Sequence, residues 1–374
     1  MPRAPHRTVR KARRATHPVR RGFRYGGNKA RCQASGAACG CTARGDQSLA
    51  KPTEEDPMTA RSSIGRPDRA DLISLADLEP AEIREIVRSG VAHAEGARTG
   101  EPLAGAVIGI YFRKTSTRTR TAFSSAALRL GARIIGYGPG DLQLNTGETV
   151  EDTAQVLSRM LDGLVCRTAG STEELRALAA PPGMSVVNAM SAHEHPTQAL
   201  ADLTTIQRHL GAVDGARVLY VGEGNSTAAA LALSLTRFEG TELHLHTPPG
   251  YGLEPHVREQ AARYAEESGS LLRESEEMTG LPAEADIVYT TRWQTTGTAK
   301  PDPDWRSVFA PFQVGGELLA GYPDAWFMHD LPAHRGEETT AAVLDGPRSI
   351  AFDQAGNKMY GAMAVLEWAL TSRT

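Results

Sequence analysis

The segment Phe112-Arg113-Lys114-Thr115-Ser116-Thr117-Arg118-Thr119-Arg120 gathers four hydroxyls and four cationic side chains. An apolar run, Ala106 to Tyr111, precedes it, and Ala122, Phe123, Ala126, Ala127 and Leu130 follow at helical spacing up to Gly131. The tract therefore lies where a buried strand hands over to a helix. The first-turn N–H groups of a helix lack intrahelical partners, and its dipole favours an anion. Hydroxyls and guanidinium groups add directional donors. Such a turn suits a phosphate.

Other chemistry-bearing residues fall at comparable places. Leu164-Val165-Cys166 reads as a strand that delivers Arg167 at its end, and Ser185 to Asn188 as a short strand before a loop holding His195. Arg118, Arg167 and His195 thus all follow strands, on the edge of an open α/β sheet where ligands bind. Helices are expected over Pro80–Glu95, with Ile83, Ile86 and Val87 on one face, and over Thr149–Asp162, with Thr153, Val156, Leu157 and Met160 on one face. A second domain begins near Gly215. Arg217 to Val221 is a strand entering the turn Gly222-x-Gly224, and a helix follows over Ala228–Thr236. Strands recur at Leu243–His246, Ile287–Tyr289 and Trp326–Met328, and a last helix runs from Gln354 to Leu370. This alternation points to α/β architecture with parallel sheets.

Two tempting motifs are set aside. Gly222-x-Gly224 has no third glycine at the right offset, and the strand Leu243–His246 does not end on an acidic residue, so no nicotinamide cofactor is expected. His193-Glu194-His195 lacks a third ligand at suitable spacing, and Cys32 with Cys39-x-Cys41 lacks zinc spacing, so no metal is expected.

The 374 residues suffice for two or three domains with cores that need no staples. Hydrophobic content of 40% and charged content of 23% are those of a globular protein. The net charge of −3 hides an asymmetry: residues 1–57 hold 13 Lys/Arg against 4 Asp/Glu, leaving 28 against 40 for the rest. That tail is expected to be disordered. It reads as an Arg-rich presequence, a basic arm, or sequence upstream of a true start at Met58. Pro2, Pro5 and Pro18, which would break an amphipathic helix, favour the last reading. Cys166 is the single body cysteine, which excludes a disulfide framework and fits a reducing, cytoplasmic setting. No secretory signal, membrane partner or nucleic-acid partner is expected.

In order, Ser116-Thr117-Arg118-Thr119-Arg120, Asp152-Thr153, Asp162-Gly163 closing on Arg167, His195-Pro196-Thr197-Gln198 and His329-Asp330-Leu331-Pro332 resemble the aspartate/ornithine carbamoyltransferase family. The resemblance runs from near Leu72 to the C-terminus. It implies two doubly wound parallel-sheet domains joined by interdomain helices. The carbamoyl-phosphate domain would span 66–205 and the acceptor domain 206–350, with 351–374 a helix packing back on the first. It also implies a homotrimer, with the loop Gln143–Thr149 completing a neighbour's site, and no cofactor. Carbamoyl phosphate is a mixed anhydride: its leaving phosphate must be stabilised, its carbonyl oxygen polarised, and the acceptor amine aimed while neutral. By resemblance Ser116, Thr117, Arg118 and Thr119 hold the phosphate. Arg167 bridges phosphate and carbonyl oxygen, His195 donates to that oxygen, and Gln198 and the Leu331 carbonyl hold the carbamoyl nitrogen. Lys358 joins this set.

The acceptor side departs from the ornithine pattern. An expected Asp is Thr291, the cysteine of His-Cys-Leu-Pro is Asp330, an Asn after Asn225 is Ser226, and an Arg of the last helix is Lys358. Arg292-x-Gln294 and Gly356-Asn357 look like the aspartate branch, yet Gln143–Thr149 lacks that branch's lysine. The expected acceptor therefore carries a carboxylate or amide near Arg292 and Gln294 and a primary amine near Asp330, with Asn225 alongside. A short diamino acid such as 2,3-diaminopropionate, or a peptide unit built from it, fits. Ornithine transfer is the alternative, and a silent carbamoyl-phosphate-binding relative is the alternative of another class.

Overall fold

A computed structural model describes residues 70–294 and 299–371. The basic tail expected over 1–57 lies outside them. The chain first builds α1 (Pro80–Ala94), β1 (Val107–Phe112), α2 (Arg118–Arg129), β2 (Arg133–Tyr137), α3 (Val150–Leu157), β3 (Gly163–Arg167), α4 (Thr172–Ala179), β4 (Ser185–Asn188) and α5 (Pro196–Leu210). It continues with β5 (Arg217–Val221), α6 (Ser226–Leu235), β6 (Glu242–His246), α7 (Pro255–Ser268), β7 (Leu271–Ser275), β8 (Ile287–Thr290), α8 (Trp305–Phe309), α9 (Gly316–Ala320), β9 (Trp326–His329), α10 (Ala341–Leu344) and α11 (Ala351–Leu370). One sheet has the order β2-β1-β3-β4 and the other β7-β6-β5-β8-β9. Every pairing is parallel. This is the expected class: α/β, with two parallel sheets.

The central strands are continuous apolar runs because helices cover both faces of each sheet. All but the first residue of β1 are buried, and all of β4 and β8. Pro80 opens α1, where a missing N–H costs nothing, and Glu79 and Glu82 form a reciprocal capping box. Every residue of α6 is buried, so its sequence shows no polar face. Helix α11 lies against α1, α2 and α5. Its Glu367, 5% exposed, meets His93 Nε2 at 3.0 Å and Arg98 Nε at 3.1 Å. Near its start, Asn357 Nδ2 donates to Thr205 Oγ1 at 2.9 Å.

Two sequence expectations change. The helix expected to reach Asp162 ends at Leu157, and Val156 and Met160 are 47% and 69% exposed instead of facing the core. Thr153, Ala154 and Leu157 form the buried face, and Leu161 extends it after the helix has ended. Strands β2 and β7 gave no apolar run because both are half-exposed sheet edges.

In each sheet the strand order reverses at one place, between β1 and β3 and between β5 and β8. Crevices for ligands open at the carboxyl ends of such strands. Residues 115–119 follow β1, Arg167 ends β3, Asn225 follows β5, Thr291 and Arg292 follow β8, and Asp330 follows β9.

Candidate active site

These strand ends, with the start of α5 and the second turn of α11, enclose one cavity of about 320 Å³. Ser116, Thr117, Arg118 and Thr119 line it from the first turn, and Arg167, His195 and Gln198 from β3 and α5. Asn225, Arg292, Gln294, Asp330 and Leu331 line it from the second sheet, and Lys358 from α11. Every residue singled out from the sequence for the site is brought there.

The phosphate turn is used more sparingly than its composition implied. Of its four cations only Arg118 reaches the cavity. Arg113 is held by Glu174 and by Tyr111 Oη at 3.2 Å, and Lys114 and Arg120 are exposed. No side chain caps the N-terminus of α2, which leaves its first-turn N–H groups for a ligand.

The cavity is strongly cationic. Burial lowers the pKa of Arg118. Burial, with repulsion from Arg118, lowers Arg167 to about 10, and its buried Nε has no hydrogen-bond partner among the described residues. Burial lowers Lys358 to about 8, although Asp330 and Asp202 pull it upward. All three stay charged at neutral pH, and a phosphate dianion would supply the counter-charge they lack.

His195 is 4% exposed. Burial, then the charges of Lys358 and Arg167, hold its pKa well below the usual histidine value. The ring is therefore neutral. Thr197 Oγ1 lies 3.4 Å from Nδ1, and with the hydroxyl as donor the ring proton sits on Nε2, ready for a carbonyl oxygen. The His195 backbone N–H donates to the Ser226 carbonyl at 3.0 Å, which fixes the start of α5 to that of α6. His193 is exposed, while Glu194 accepts from Ser74 Oγ at 2.5 Å and from the Leu75 N–H at 2.8 Å. His193-Glu194-His195 is thus a structural corner with one site residue at its end.

On the acceptor side, β8 and β9 pair with Thr290 opposite His329, so Thr291 and Asp330 emerge side by side. Thr291 Oγ1 donates to Asp330 Oδ1 at 2.9 Å, and Thr227 Oγ1 donates to Oδ2 at 2.9 Å. Burial pushes the Asp330 carboxyl up. His329, Lys358 and the Thr227 hydroxyl more than offset this, so it stays ionised. The carboxylate that the sequence seemed to lose at Thr291 therefore stands on the adjacent strand. Leu331 takes φ 54 with its N–H held by His329 Nδ1 at 2.8 Å, a backbone state that costs about 1–3 kcal/mol outside glycine.

The glycine turn after β5 also has a local explanation. A Cβ on Gly224 would come within 2.3 Å of the Gly252 carbonyl carbon, so only glycine lets these loops meet. Beside it, Lys300 Nζ pairs with Glu223 at 2.5 Å and sits 4.3 Å from the Tyr251 ring centroid, which anchors the chain next to Asn225.

Thr227 and Asp202 escaped the sequence reading. Thr227 faces inward only because Asn225 caps α6, accepting from the Thr227 N–H at 2.9 Å. Asp202 had one signal, its position a helical turn after Gln198.

A cationic cradle, neutral and charged hydrogen-bond donors and a carboxylate thus share one cavity. The chain belongs to the aspartate/ornithine carbamoyltransferase family and is a carbamoyltransferase. Residues 70–208 match that family's carbamoyl-P binding domain and residues 214–369 its Asp/Orn binding domain. The ornithine carbamoyltransferase of Methanothermobacter thermautotrophicus is 38% identical over 300 residues, covering 80% of this chain and 98% of that protein. That of Halalkalibacterium halodurans is 36% identical over 300 residues, covering 79% and 93%. Among solved structures, ornithine carbamoyltransferase from Pyrococcus furiosus matches with a TM-score of 0.75 at 36% identity, covering 82% of this chain and 98% of that one. The enzyme from Gloeobacter violaceus matches with a TM-score of 0.73 at 35% identity, covering 81% and 99%.

Proposed function

We propose that the enzyme carbamoylates a primary amine of a short diamino acid, such as 2,3-diaminopropionate or a peptide unit built from it. The observation that carries this reading is the position of Asp330. It is a half-buried, ionised carboxylate in the same cavity as Arg292, Gln294 and the cationic cradle. One end of the acceptor would meet Arg292 and Gln294. Asp330 would accept a hydrogen bond from the attacking amine and orient it, and the proton the amine gives up on attack would pass to the departing phosphate. The phosphate would rest on Ser116, Thr117, Arg118 and Thr119. Arg167 and His195 would polarise the carbonyl oxygen, while Gln198 and the Leu331 carbonyl would hold the carbamoyl nitrogen. The amine forms its bond to the carbonyl carbon as the carbon–oxygen bond to phosphate breaks, and the phosphate leaves with the electron pair.

Ornithine is the second reading, favoured by the relatives named above. In the proposed assembly, a homotrimer in the cytoplasm, the loop Gln143–Thr149 of one subunit would complete the phosphate site of the next. In support, that loop is mostly exposed and lines no part of its own chain's cavity.

The test offers carbamoyl phosphate with ornithine, aspartate, putrescine, 2,3-diaminopropionate and diaminopropionyl peptides, and reads product mass. A gain of one carbamoyl group on diaminopropionate or its peptides is expected, with putrescine inert because it lacks the carboxylate or amide end, and aspartate poor because it brings a second carboxylate beside Asp330. Preferential gain on ornithine would replace the first reading by the second. Phosphate release with no product would point to hydrolysis, and its absence with every amine to a silent relative.

A further inference from the structure

We propose that Asp202, which does not line the cavity, is a positioning residue that decides which end of the Gln198 amide faces the substrate. Asp202 is fully buried on α5, one turn beyond Gln198. Its Oδ1 accepts from Gln198 Nε2 at 2.8 Å and from Gln354 Nε2 at 2.7 Å, and its Oδ2 accepts from Tyr289 Oη at 2.9 Å. An ionised carboxylate can only accept hydrogen bonds. A primary amide beside it must turn its NH₂ toward it, and the flipped amide would set oxygen against oxygen. Gln198 Oε1 is thereby aimed the other way, where it accepts from Lys358 Nζ. A carbonyl oxygen has a second lone pair, and here it serves a ligand NH₂ group.

The same network reaches the acceptor side. Gln354 Oε1 accepts from the His329 N–H at 2.8 Å, one residue before Asp330. Gln354 Nε2 also donates to Tyr289 Oη at 3.0 Å. One buried charge thus sets the hydrogen-bond direction across α5, α11, β8 and β9.

The arrangement depends on Asp202 being ionised. Burial raises its carboxyl to about 6, while Gln354, Gln198 and Tyr289 as donors, and the charge of Lys358, restrain the rise. The titratable groups facing it are Lys358 from α11, Tyr289 from β8 and Tyr220 from β5. Beyond Lys358 lie Asp330, Arg167 and Arg118. Asp202 is therefore charged at neutral pH and protonates in mild acid, when it becomes a donor and the amide direction is released.

This inference rests on the carbamoyl group occupying this cavity. The test uses two stable analogues that differ at one group, phosphonoacetamide with NH₂ and methyl phosphonoacetate with OCH₃ in its place. Calorimetry at pH 7.5 should find the amide bound about 30-fold more tightly by the wild-type chain, because the ester leaves Gln198 Oε1 facing an acceptor. In Asp202→Asn the preference should fall to about threefold, the value of a hydrogen bond no longer held in one direction. In the wild-type chain it should fall similarly at pH 5. Changes in phosphonate ionisation act on both analogues and leave the ratio intact. A folded Asp202→Asn protein that keeps the full preference would overturn the proposal. So would a wild-type preference unchanged at pH 5, which decides the matter even if the variant does not fold. Failure of wild type to bind either analogue would instead overturn the underlying reading of the cavity.

Discussion

Replacing Arg167 by glutamine is expected to lower kcat about 10³-fold while leaving the folded protein at least as stable. Removing one preorganised donor from an oxyanion site typically costs 10²–10³ in rate, about 2.7–4 kcal/mol, and Arg167 also loses its contact to the leaving phosphate. The stability half of the expectation follows from its pKa. Burial and the charge of Arg118 lower the folded pKa from the ordinary arginine value to about 10. The folded state therefore binds this proton less tightly than the unfolded chain, and below pH 10 the charge opposes folding. A neutral side chain removes that opposition. Melting curves and turnover should thus move in opposite directions, the signature of a group kept for chemistry. A folded Arg167→Gln enzyme retaining more than about a tenth of wild-type kcat would falsify the assignment.

The second large effect is on the acceptor. Asp330→Asn should lower kcat/KM for the diamino acceptor about 10³-fold, because truncating one partner of a buried charge pair costs about 2–5 kcal/mol. Carbamoyl-phosphate binding should be retained or tightened, since the change removes a negative charge from a cavity that receives an anion. The wild-type carboxyl is held below the usual aspartate range, so its contribution should be constant from neutral pH into mild acid. The exchanged pair Thr291→Asp/Asp330→Thr returns the carboxylate to the neighbouring strand and should recover much of the loss. Steady-state kinetics with saturating carbamoyl phosphate reads all of this. Equal loss of affinity for both substrates in Asp330→Asn would show that the residue holds the cavity together and does not recognise an amine.

What could be read from the sequence followed what burial does to composition. Strands covered on both faces, such as β1, β3 and β4, announce themselves as apolar runs, and each is followed by polar residues that have no packing reason to be there. The phosphate turn, Arg167 and His195 were legible for that reason. Edge strand β2 is half wet, so with Arg133 at its start it looked like a loop. In α3 the helix stops at Leu157, and a face extrapolated past that point no longer follows helical geometry. The acceptor side was legible residue by residue but not as an arrangement. Thr291 and Asp330 lie 39 positions apart, and only the parallel register that sets Thr290 opposite His329 makes them partners. Asp202 was hidden because α5 buries even its polar residues, so an interior acid looked like part of a solvated face.

The seating of α11 has a consequence for how the enzyme is made. A ribosome delivers α1, α2 and α5 well before the helix that covers them. Their apolar faces then remain open during synthesis, a condition that favours aggregation and suits chaperone engagement. Gln354 and Lys358 travel on that same late helix, as does Glu367, whose contacts with His93 and Arg98 seat it. A nascent or prematurely terminated chain can build the phosphate turn, yet it lacks the ammonium and the amide that finish the site. Completion of the cavity is thus deferred until α11 has been made and seated.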